Sequence, residues 1–296
     1  MAMRDYLATE IALDHADGHL PRREALRRLG LLGLSAVAAS GLLAACGAEE
    51  PAAGPPPSPT PAADAGYDVA AALARTSTVT FPGTAGELSG ATAAPTGTPR
   101  GAVLVVHENR GLTDHIRAVT GRLAGDGYAA LAPDLLSRAG GTAAVPDPTA
   151  ALAQIGEADL VADAQRGVAE LGRRYPGLPL AAMGFCFGGG MVWRLLDAGA
   201  PELAAAVPFY GPSPENPTFD GDSAAVLGVF AEQDDRVNAG RAKLEAALAA
   251  AGVPYEILVV PGTQHAFFND TGPRFNPEAA ASTYQRVLDW YGQYLV

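Results

Sequence analysis

The sequence predicts an α/β fold, with a doubly wound, mostly parallel sheet that carries helices on both faces. Short apolar runs alternate with helical patterns from about residue 67 to the C-terminus. Several runs, such as those at 102–106 and 180–185, are continuously apolar, which is typical of strands covered on both sides. Strands joined through helices in this way connect in a right-handed sense, so one doubly wound sheet is expected.

The elements follow one another in a regular order. We predict strands over residues 77–81, 102–106, 129–133, 180–185, 204–210, 224–230 and 256–260. Helical spacing is found at residues 114–123, 149–171, 190–196, 238–251 and 277–294. The segment 133–148, bounded by prolines and containing two glycines, is expected to be a loop.

Composition and charge exclude several classes of protein. A chain of 296 residues that is 48% hydrophobic and 18% charged is typical of a globular protein and not of a disordered one. The net charge of −12 argues against a nucleic-acid partner, which would need a basic surface. Two cysteines are too few for a disulfide framework or a cysteine-type zinc site. No metal or organic cofactor is predicted, because the sequence has neither a phosphate-binding loop before a lysine nor a His/Cys cluster.

The N-terminal segment has the layout of an export signal. Arg22 and Arg23 come before an uncharged stretch at 29–45, which gives the order basic, apolar, small. The paired arginines resemble the twin-arginine signal, which is read by a receptor for folded cargo. The stretch of 17 residues is slightly shorter than the roughly 20 apolar residues that span a bilayer. Residues 1–24 are otherwise polar and show no strong hydrophobic periodicity.

The apolar stretch ends in Leu-Ala-Ala-Cys at Cys46, which resembles the bacterial lipobox. In such signals the cysteine is lipidated and becomes the mature N-terminus. We therefore predict that residues 1–46 are an export signal and that the protein is a monomeric cell-envelope lipoprotein, which meets the membrane only through this anchor or signal. Simple secretion and an uncleaved anchor are the alternatives. Residues 47–66, rich in Ala, Pro and Gly, are predicted to be a tether to a folded domain over 67–296.

A motif with the spacing of a nucleophile elbow follows the strand at 180–185. Gly184 and Gly188 flank Cys186 in the pattern Gly-x-Nuc-x-Gly, with cysteine as the nucleophile. The turn is strained, and a Cβ at either glycine would strike a neighbouring strand or helix. The N-terminus of the following helix lowers the pKa of a thiol, and the N–H of Phe187 would point at an oxyanion. A buried, unreactive cysteine is the alternative.

Two further residues would complete a catalytic triad. A cysteine nucleophile needs a base that an acid holds in one tautomer. His265 follows the last predicted strand and Asp234 follows the strand before it. The chain order Cys186, Asp234, His265 is that of an α/β-hydrolase triad, and all three residues lie beyond strand ends, where open α/β sheets place their sites.

Together these residues resemble the dienelactone hydrolase family (carboxymethylenebutenolidases) of the α/β-hydrolases. The resemblance extends over about residues 79–296. It rests on the segments 184–190, 234–237 and 265–268, on His-Glu-Asn-Arg-Gly at 107–111, and on the run at 127–135. It implies an α/β-hydrolase fold, a small-molecule substrate, and hydrolysis of carboxylic esters or lactones through an acyl-thioester intermediate.

The resemblance also implies roles for residues around the triad. Glu108 matches the family glutamate that contacts the resting thiol until substrate displaces it, and the N–H of Asn109 matches the second oxyanion donor. The alternative for Glu108 is an exposed strand-end acid paired with Arg110. Asn269 stands where the dienelactone enzymes carry an arginine that binds the substrate carboxylate, so Arg110 is a candidate for part of that duty.

Aromatic side chains near the motifs suggest an apolar pocket. Phe187, Phe267 and Phe268 are expected to rim it, while Tyr210 is assigned either to the pocket or to the core. Two other functions remain open. One is a non-catalytic lipoprotein that binds a small ligand on the same fold, against which the complete set of Cys, Asp and His argues. The other is a thioesterase-like hydrolase that uses the same residues.

Overall fold

A mixed eight-stranded sheet forms the centre of this computed structural model, which describes residues 2–18, 20–47, 66–221 and 224–296. Its strands are β1 (Ser77–Pro82), β2 (Glu87–Ala93), β3 (Ala102–Val106), β4 (Ala129–Pro133), β5 (Leu180–Phe185), β6 (Leu203–Phe209), β7 (Ala225–Ala231) and β8 (Tyr255–Val260). They lie in the order β1-β2-β4-β3-β5-β6-β7-β8. The pairs β1–β2 and β2–β4 are antiparallel and the other neighbours are parallel, which confirms the predicted α/β, mostly parallel sheet.

Helices surround this sheet. In the described ranges they are α1 (Met3–Ala16), α2 (Arg22–Leu31), α3 (Ala36–Gly47), α4 (Val69–Ala74), α5 (Asp114–Gly125), α6 (Pro148–Leu152), α7 (Glu157–Arg174), α8 (Phe187–Asp197), α9 (Asp235–Asn238), α10 (Arg241–Ala251) and α11 (Pro277–Tyr294). Helices α5, α7, α8 and α11 contact the sheet. Every residue of β3, β4, β5 and β7 is buried, so helices must cover both faces there.

The sequence did not predict strand β2, because it packs through small residues. Leu88 is its only large apolar side chain. Gly90 lies so close to β4 that a Cβ there would be 2.6 Å from the carbonyl oxygen of Ala132. Such a strand has neither a continuous apolar run nor a clear alternation. Helix α8 likewise begins at Phe187, before the predicted start, because the glycines after Cys186 form its first turn.

The N-terminal segment is folded against the α/β part of the chain. Helices α1, α2 and α3 contact one another around an apolar cluster of Ala8, Ile11, Ala12, Ala25, Leu29, Leu32, Ala39 and Leu43. On another side of α1, Met3, Tyr6 and Leu7 belong to the core of the sheet. The weak periodicity of residues 1–24 did not predict this helix, because α1 buries polar as well as apolar side chains.

The predicted signal and tether are described only in part. Residues 48–65 and the side chain of Cys46 lie outside the described residues, so the tether and the lipidation stay predictions. Arg22 and Arg23 are exposed on α2. Within the described ranges, no helix combines the length and the hydropathy that crossing a bilayer requires.

Candidate active site

The turn between β5 and α8 holds Cys186 in a strained backbone conformation. Its φ of 58° and ψ of −118° are rare for a residue with a side chain. Its N–H donates to the carbonyl oxygen of Phe209 on β6 (3.1 Å), and its own carbonyl accepts from the N–H of Gly190 (3.0 Å). These bonds fix the thiol between the end of β5 and the N-terminus of α8.

Gly184 and Gly188 permit this turn because neither position has room for a side chain. A Cβ at residue 184 would be 2.3 Å from the carbonyl oxygen of Gly188, and a Cβ at residue 188 would be 2.2 Å from that of Val106. Both distances are far below van der Waals contact. The steric reason for the two glycines therefore holds on both sides of Cys186.

The structure brings His265 and Asp234 to the same place as Cys186. Nδ1 of His265 lies 2.5 Å from Oδ2 of Asp234. The other oxygen of this carboxylate caps α9 by accepting from the N–H of Val237 (3.3 Å). Burial alone would raise the pKa of Asp234, but the charge and hydrogen bond of His265 outweigh it and lower that pKa. With Nδ1 held by the carboxylate, Nε2 is the imidazole nitrogen left for the thiol.

Helix α1 brings two side chains to the thiol that sequence analysis missed. The hydroxyl of Tyr6 donates to Sγ of Cys186 (3.1 Å) and lies 3.3 Å from Nε2 of His265. The carboxylate of Glu10 lies 3.5 Å from Sγ through Oε2 and 3.8 Å from Nε2 through Oε1. The Tyr6 hydroxyl therefore stands between the sulfur and the imidazole.

The surroundings of Cys186 keep its sulfur protonated. Burial first, and then the carboxylates of Glu10 and Glu108, raise the pKa of the thiol well above its ordinary value. Hydrogen bonds from Tyr6 and from the N–H of Phe187 lower that pKa, but they offset only part of the increase. The thiol is therefore neutral in this arrangement, contrary to the expectation that the helix N-terminus would lower its pKa.

Glu10 is buried together with a positive charge. Its Oε1 accepts from Nη2 of Arg236 at 2.5 Å, and the guanidinium lies 4.4 Å from the ring centroid of Tyr6. Burial alone would raise the pKa of Glu10, but Arg236 and His265 lower it below its ordinary value. Glu10 is therefore the ionised carboxylate that lies against the thiol.

Glu108 is buried in the same cleft, but its hydrogen-bond partner is Asn269. Its Oε2 accepts from Nδ2 of Asn269 at 2.5 Å, and its Oε1 has no hydrogen-bond partner among the described residues. Burial raises the pKa of Glu108. The contact with the resting thiol that the resemblance implied for Glu108 is made here by Glu10.

Arginines around the cleft pair with acids of the N-terminal segment. Nη2 of Arg110 donates to Oδ1 of Asp14 at 2.7 Å, and Nη2 of Arg274 lies 2.9 Å from Oδ2 of Asp17. The alternative assignment of Glu108, as an exposed acid paired with Arg110, is not found, because Glu108 is only 4% exposed. A contact between Arg110 and substrate stays a prediction.

Asn109 and Phe187 both adjoin the thiol. The N–H of Phe187 hydrogen-bonds to the sulfur of Cys186, and Oδ1 of Asn109 lies 3.9 Å from it. The amide of Asn109 is held by donation from Nδ2 to Oγ1 of Thr149 (3.2 Å). Both residues thus lie where the family pattern places oxyanion donors, and that role stays a prediction.

Charged and polar side chains take the place of the expected aromatic rim. Phe187, Phe267 and Phe268 are at most 3% exposed, and Tyr210 is buried with its ring centroid 5.1 Å from that of His265. These rings fill the core beneath the triad and do not line the cleft. The cleft lining includes Glu10, Asp14, Arg110, Asn269, Thr271 and Arg274.

One group of side chains in the described ranges has the composition of a metal site. Glu10, Cys186 and His265 offer ligand atoms that all lie within 4.8 Å of one another. The Tyr6 hydroxyl lies between the sulfur and Nε2, and Arg236 is bound to Glu10. A dication would have to displace a hydroxyl and a guanidinium, so this arrangement favours thiol–imidazole chemistry over metal binding.

Comparison with known proteins gives one family match and several curated relatives. Residues 88–295 match the Dienelactone hydrolase family. An Escherichia coli (strain K12) protein named "Putative carboxymethylenebutenolidase" is 35% identical over 213 residues, covering 66% of this chain and 78% of its own. A Saccharolobus solfataricus protein of the same name is 30% identical, over 64% of this chain and 88% of its own.

Two solved structures have the same fold. A structure named "Putative Dienelactone Hydrolase" from Klebsiella pneumoniae superposes with a TM-score of 0.67 at 31% identity, over 74% of this chain and 98% of its own. A dienelactone hydrolase-like promiscuous phosphotriesterase from metagenomic libraries gives 0.66 at 26% identity, over 75% and 98%. The family match covers strands β3 to β8 with Cys186, Asp234 and His265. The chain therefore belongs to the dienelactone hydrolase family, with an α/β-hydrolase fold, and is a carboxymethylenebutenolidase-like hydrolase.

Proposed function

We propose that this hydrolase cleaves carboxylic esters or lactones with Cys186 as nucleophile, His265 as general base and acid, and Asp234 as the acid that orients the imidazole. The contact of 2.5 Å between Nδ1 of His265 and Asp234 carries the proposal, because it leaves Nε2 for the thiol proton. The φ of 58° at Cys186 supports it, since strain of this kind is concentrated at functional sites.

Acylation begins when the substrate carbonyl takes the place of the Tyr6 hydroxyl beside the sulfur. The S–H proton moves to Nε2 of His265 while Sγ bonds to the carbonyl carbon, and the carbonyl electron pair moves onto oxygen. The N–H groups of Phe187 and Asn109 would donate to that oxyanion. Collapse of the tetrahedral intermediate expels the alkoxide, which takes the proton from Nε2 and leaves a thioester on Cys186.

Hydrolysis of the thioester follows the same path in reverse. Water gives a proton to Nε2 of His265 as its oxygen attacks the thioester carbonyl. The second tetrahedral intermediate releases the carboxylic acid, and the sulfur of Cys186 recovers the proton from Nε2. Asp234 keeps Nδ1 protonated in both half-reactions, so the tautomer is correct for each transfer.

The test is hydrolysis of a panel of substrates combined with trapping of the acyl-enzyme. Aryl esters, aliphatic esters, lactones, a thioester and a phosphotriester are compared on the wild type and on Cys186→Ala. We expect a burst of p-nitrophenol and a peptide acylated at Cys186 in the mass spectrum of the acid-quenched wild type. Equal, slow hydrolysis by both proteins, each also measured after removal of helices α1 to α3, would contradict the mechanism. A preference for thioesters would instead favour the thioesterase-like function.

We also propose that the protein is exported and anchored through a lipid on Cys46. The Leu-Ala-Ala-Cys sequence at the end of α3 and the exposed Arg22 and Arg23 on α2 support this location. Radiolabelled palmitate should be incorporated into the wild type and not into Cys46→Ser. After cell fractionation, the labelled protein should be found in the envelope fraction. A wild type without label would contradict the lipid anchor.

A further inference from the structure

Helix α1 occupies the position that a substrate needs. Its Tyr6 hydroxyl lies 3.1 Å from Sγ of Cys186 and 3.3 Å from Nε2 of His265, on the path between nucleophile and base. The cavity left beside Cys186 has a volume of about 50 Å³. That volume holds a few water molecules at most, and an aryl ester does not fit.

Three acids fix the position of this helix along the cleft. They fall on one face of the helix at spacings of four and three residues, so each can reach a different arginine. The pairs are Glu10–Arg236 at 2.5 Å, Asp14–Arg110 at 2.7 Å and Asp17–Arg274 at 2.9 Å. A shift of α1 by one turn would break all three pairs, so the register is specific to this cleft.

Apolar contacts hold the same helix in place. Met3, Tyr6 and Leu7 are at most 5% exposed and belong to the core of the sheet. The opposite side, with Ile11 at 0% exposure, packs against α2 and α3. Burying each such side chain contributes about 1.5–3 kcal/mol, so α1 is an integral part of this closed structure.

The cleft nevertheless has a polar atom that α1 does not satisfy. Oε1 of Glu108 is buried and has no hydrogen-bond partner among the described residues. Glu108 lies close enough to the nucleophile to contribute to the raised pKa of Cys186. Buried polar groups normally have partners, so this oxygen offers a ligand a hydrogen-bonding site that α1 leaves unused.

From these contacts we infer that residues 3–17 are an intramolecular inhibitor that keeps the hydrolase latent until this segment leaves the cleft. The inference rests on the proposed function, which makes Cys186 the nucleophile. Processing at Cys46, as proposed above, would remove α1 together with α2 and α3 and so open the site. Export and activation would then be one event. Arg22 and Arg23 are exposed while the cleft is closed, so a receptor could read them on the folded, inactive protein.

The expected effect is large because the inhibitor is tethered. A tethered segment competes at an effective concentration near ~1 mM, so an intrinsic affinity of only ~10 µM leaves about 1% of molecules open. Release of the segment should therefore raise both the rate of Cys186 alkylation and the kcat/KM for ester hydrolysis about 100-fold.

The experiment begins with the folded full chain, into which a site-specific protease sequence is placed within residues 48–65. The protein is cleaved after purification, and the fragments are separated at high salt, which screens the ion pairs. Iodoacetamide alkylation of Cys186 and hydrolysis of p-nitrophenyl acetate are measured before and after cleavage. We expect both to rise, and a synthetic peptide of residues 1–18 to suppress both again. A peptide with Tyr6→Ala and Glu10→Ala should suppress neither.

A second variant opens the cleft without proteolysis, in case the fragments stay together. Asp14→Arg with Asp17→Arg places like charges opposite Arg110 and Arg274 and should raise alkylation and hydrolysis in the uncleaved chain. Asp5→Arg, at an exposed position on α1 and with the same charge change per substitution, is the matched control and should change neither rate.

Alkylation and hydrolysis separate the two proposals. Faster alkylation of Cys186 without hydrolysis of any ester would retain the occlusion by α1 and contradict the proposed function. Equal alkylation and equal hydrolysis before and after cleavage, with no effect of the arginine variants, would overturn the latency while the function stands.

Discussion

Two regions of the molecule meet at Cys186, and they reach it in different ways. The α/β part brings the elbow, Asp234 and His265 from the C-terminal ends of β5, β7 and β8, which lie at one edge of the sheet. Helix α1 brings Tyr6 and Glu10 from 180 and 176 residues upstream of the thiol. The first arrangement builds the proposed reactive centre and the second covers it, so the reactivity of one sulfur tests both.

The two regions also differ in the pKa of the carboxyl group that each places near the thiol. Glu10, on α1, has a lowered pKa because Arg236 and His265 outweigh its burial. Glu108, in the α/β part, has a raised pKa because burial dominates and its bonded partner, Asn269, is neutral. Burial is similar at both, so the charge of the partner decides the direction in which each pKa shifts.

The largest expected effect is the loss of activity on removing the sulfur of Cys186, the atom that both regions contact. In the protein freed of α1, Cys186→Ala should lower kcat/KM for ester hydrolysis by about 10⁴-fold or more, because loss of a nucleophile removes covalent catalysis altogether. Steady-state kinetics on p-nitrophenyl acetate measures it. An unchanged midpoint of urea unfolding serves as the control for folding. Residual activity near that of the wild type would mean that the two regions converge on an unreactive residue.

The next effect isolates the α/β part. Asp234→Asn should lower kcat by about 10³–10⁴-fold, since the amide favours the wrong tautomer of His265. An asparagine still caps α9, so unfolding in urea should hardly change. The rate of Cys186 alkylation before cleavage should also stay low, because α1 remains in place. A loss of activity below tenfold would argue that His265 does not depend on Asp234.

The same contrast decides how much of the site could be predicted from the sequence. Cys186, Asp234 and His265 each follow a strand, so their convergence could be anticipated from chain order and the geometry of parallel sheets. Tyr6 and Glu10 lie on a helix whose buried face is partly polar, because it packs on a polar cleft. Hydrophobic periodicity does not detect such a face, and no local motif announces a contact so distant in sequence.

The fold shows the same limit in strand β2 and in the side-chain amide of Asn269. Strands β3, β4 and β5 were predicted with their observed bounds because they are continuously apolar. Strand β2, built of small residues, was not. Asn269 was noticed only as a departure from the family pattern, and its bond to Glu108 could not be foreseen because one amide produces no pattern.

Packing at two helical glycines gives a smaller and opposite pair of effects. Gly121→Ala in α5 should lower the free energy of unfolding by about 2–3 kcal/mol, since its Cβ would lie 1.9 Å from the carbonyl oxygen of Ala72 in α4. Gly41→Ala in α3 meets nothing within 4 Å and should raise helix stability by about 0.5–1 kcal/mol. Urea unfolding of both variants measures the difference. Equal effects would mean that α3 packs as tightly at Gly41 as α5 packs against α4 at Gly121.

The smallest effect is the pH dependence of stability, which the two carboxyl groups should affect with opposite sign. The folded pKa of Glu10 is lowered, so its contribution is present above its unfolded pKa of about 4.3 and is lost as the pH falls through the folded pKa. Stability lost by Glu10→Gln should therefore be greatest near neutral pH and shrink in acid. The folded pKa of Glu108 is raised, so its contribution is present below the unfolded pKa and is lost as the pH rises through the folded one. Glu108→Gln should accordingly cost most in acid and least at neutral pH. Urea unfolding of the uncleaved chain at a series of pH values measures both, and curves of the same sign would mean that Arg236 does not decide the ionisation of Glu10.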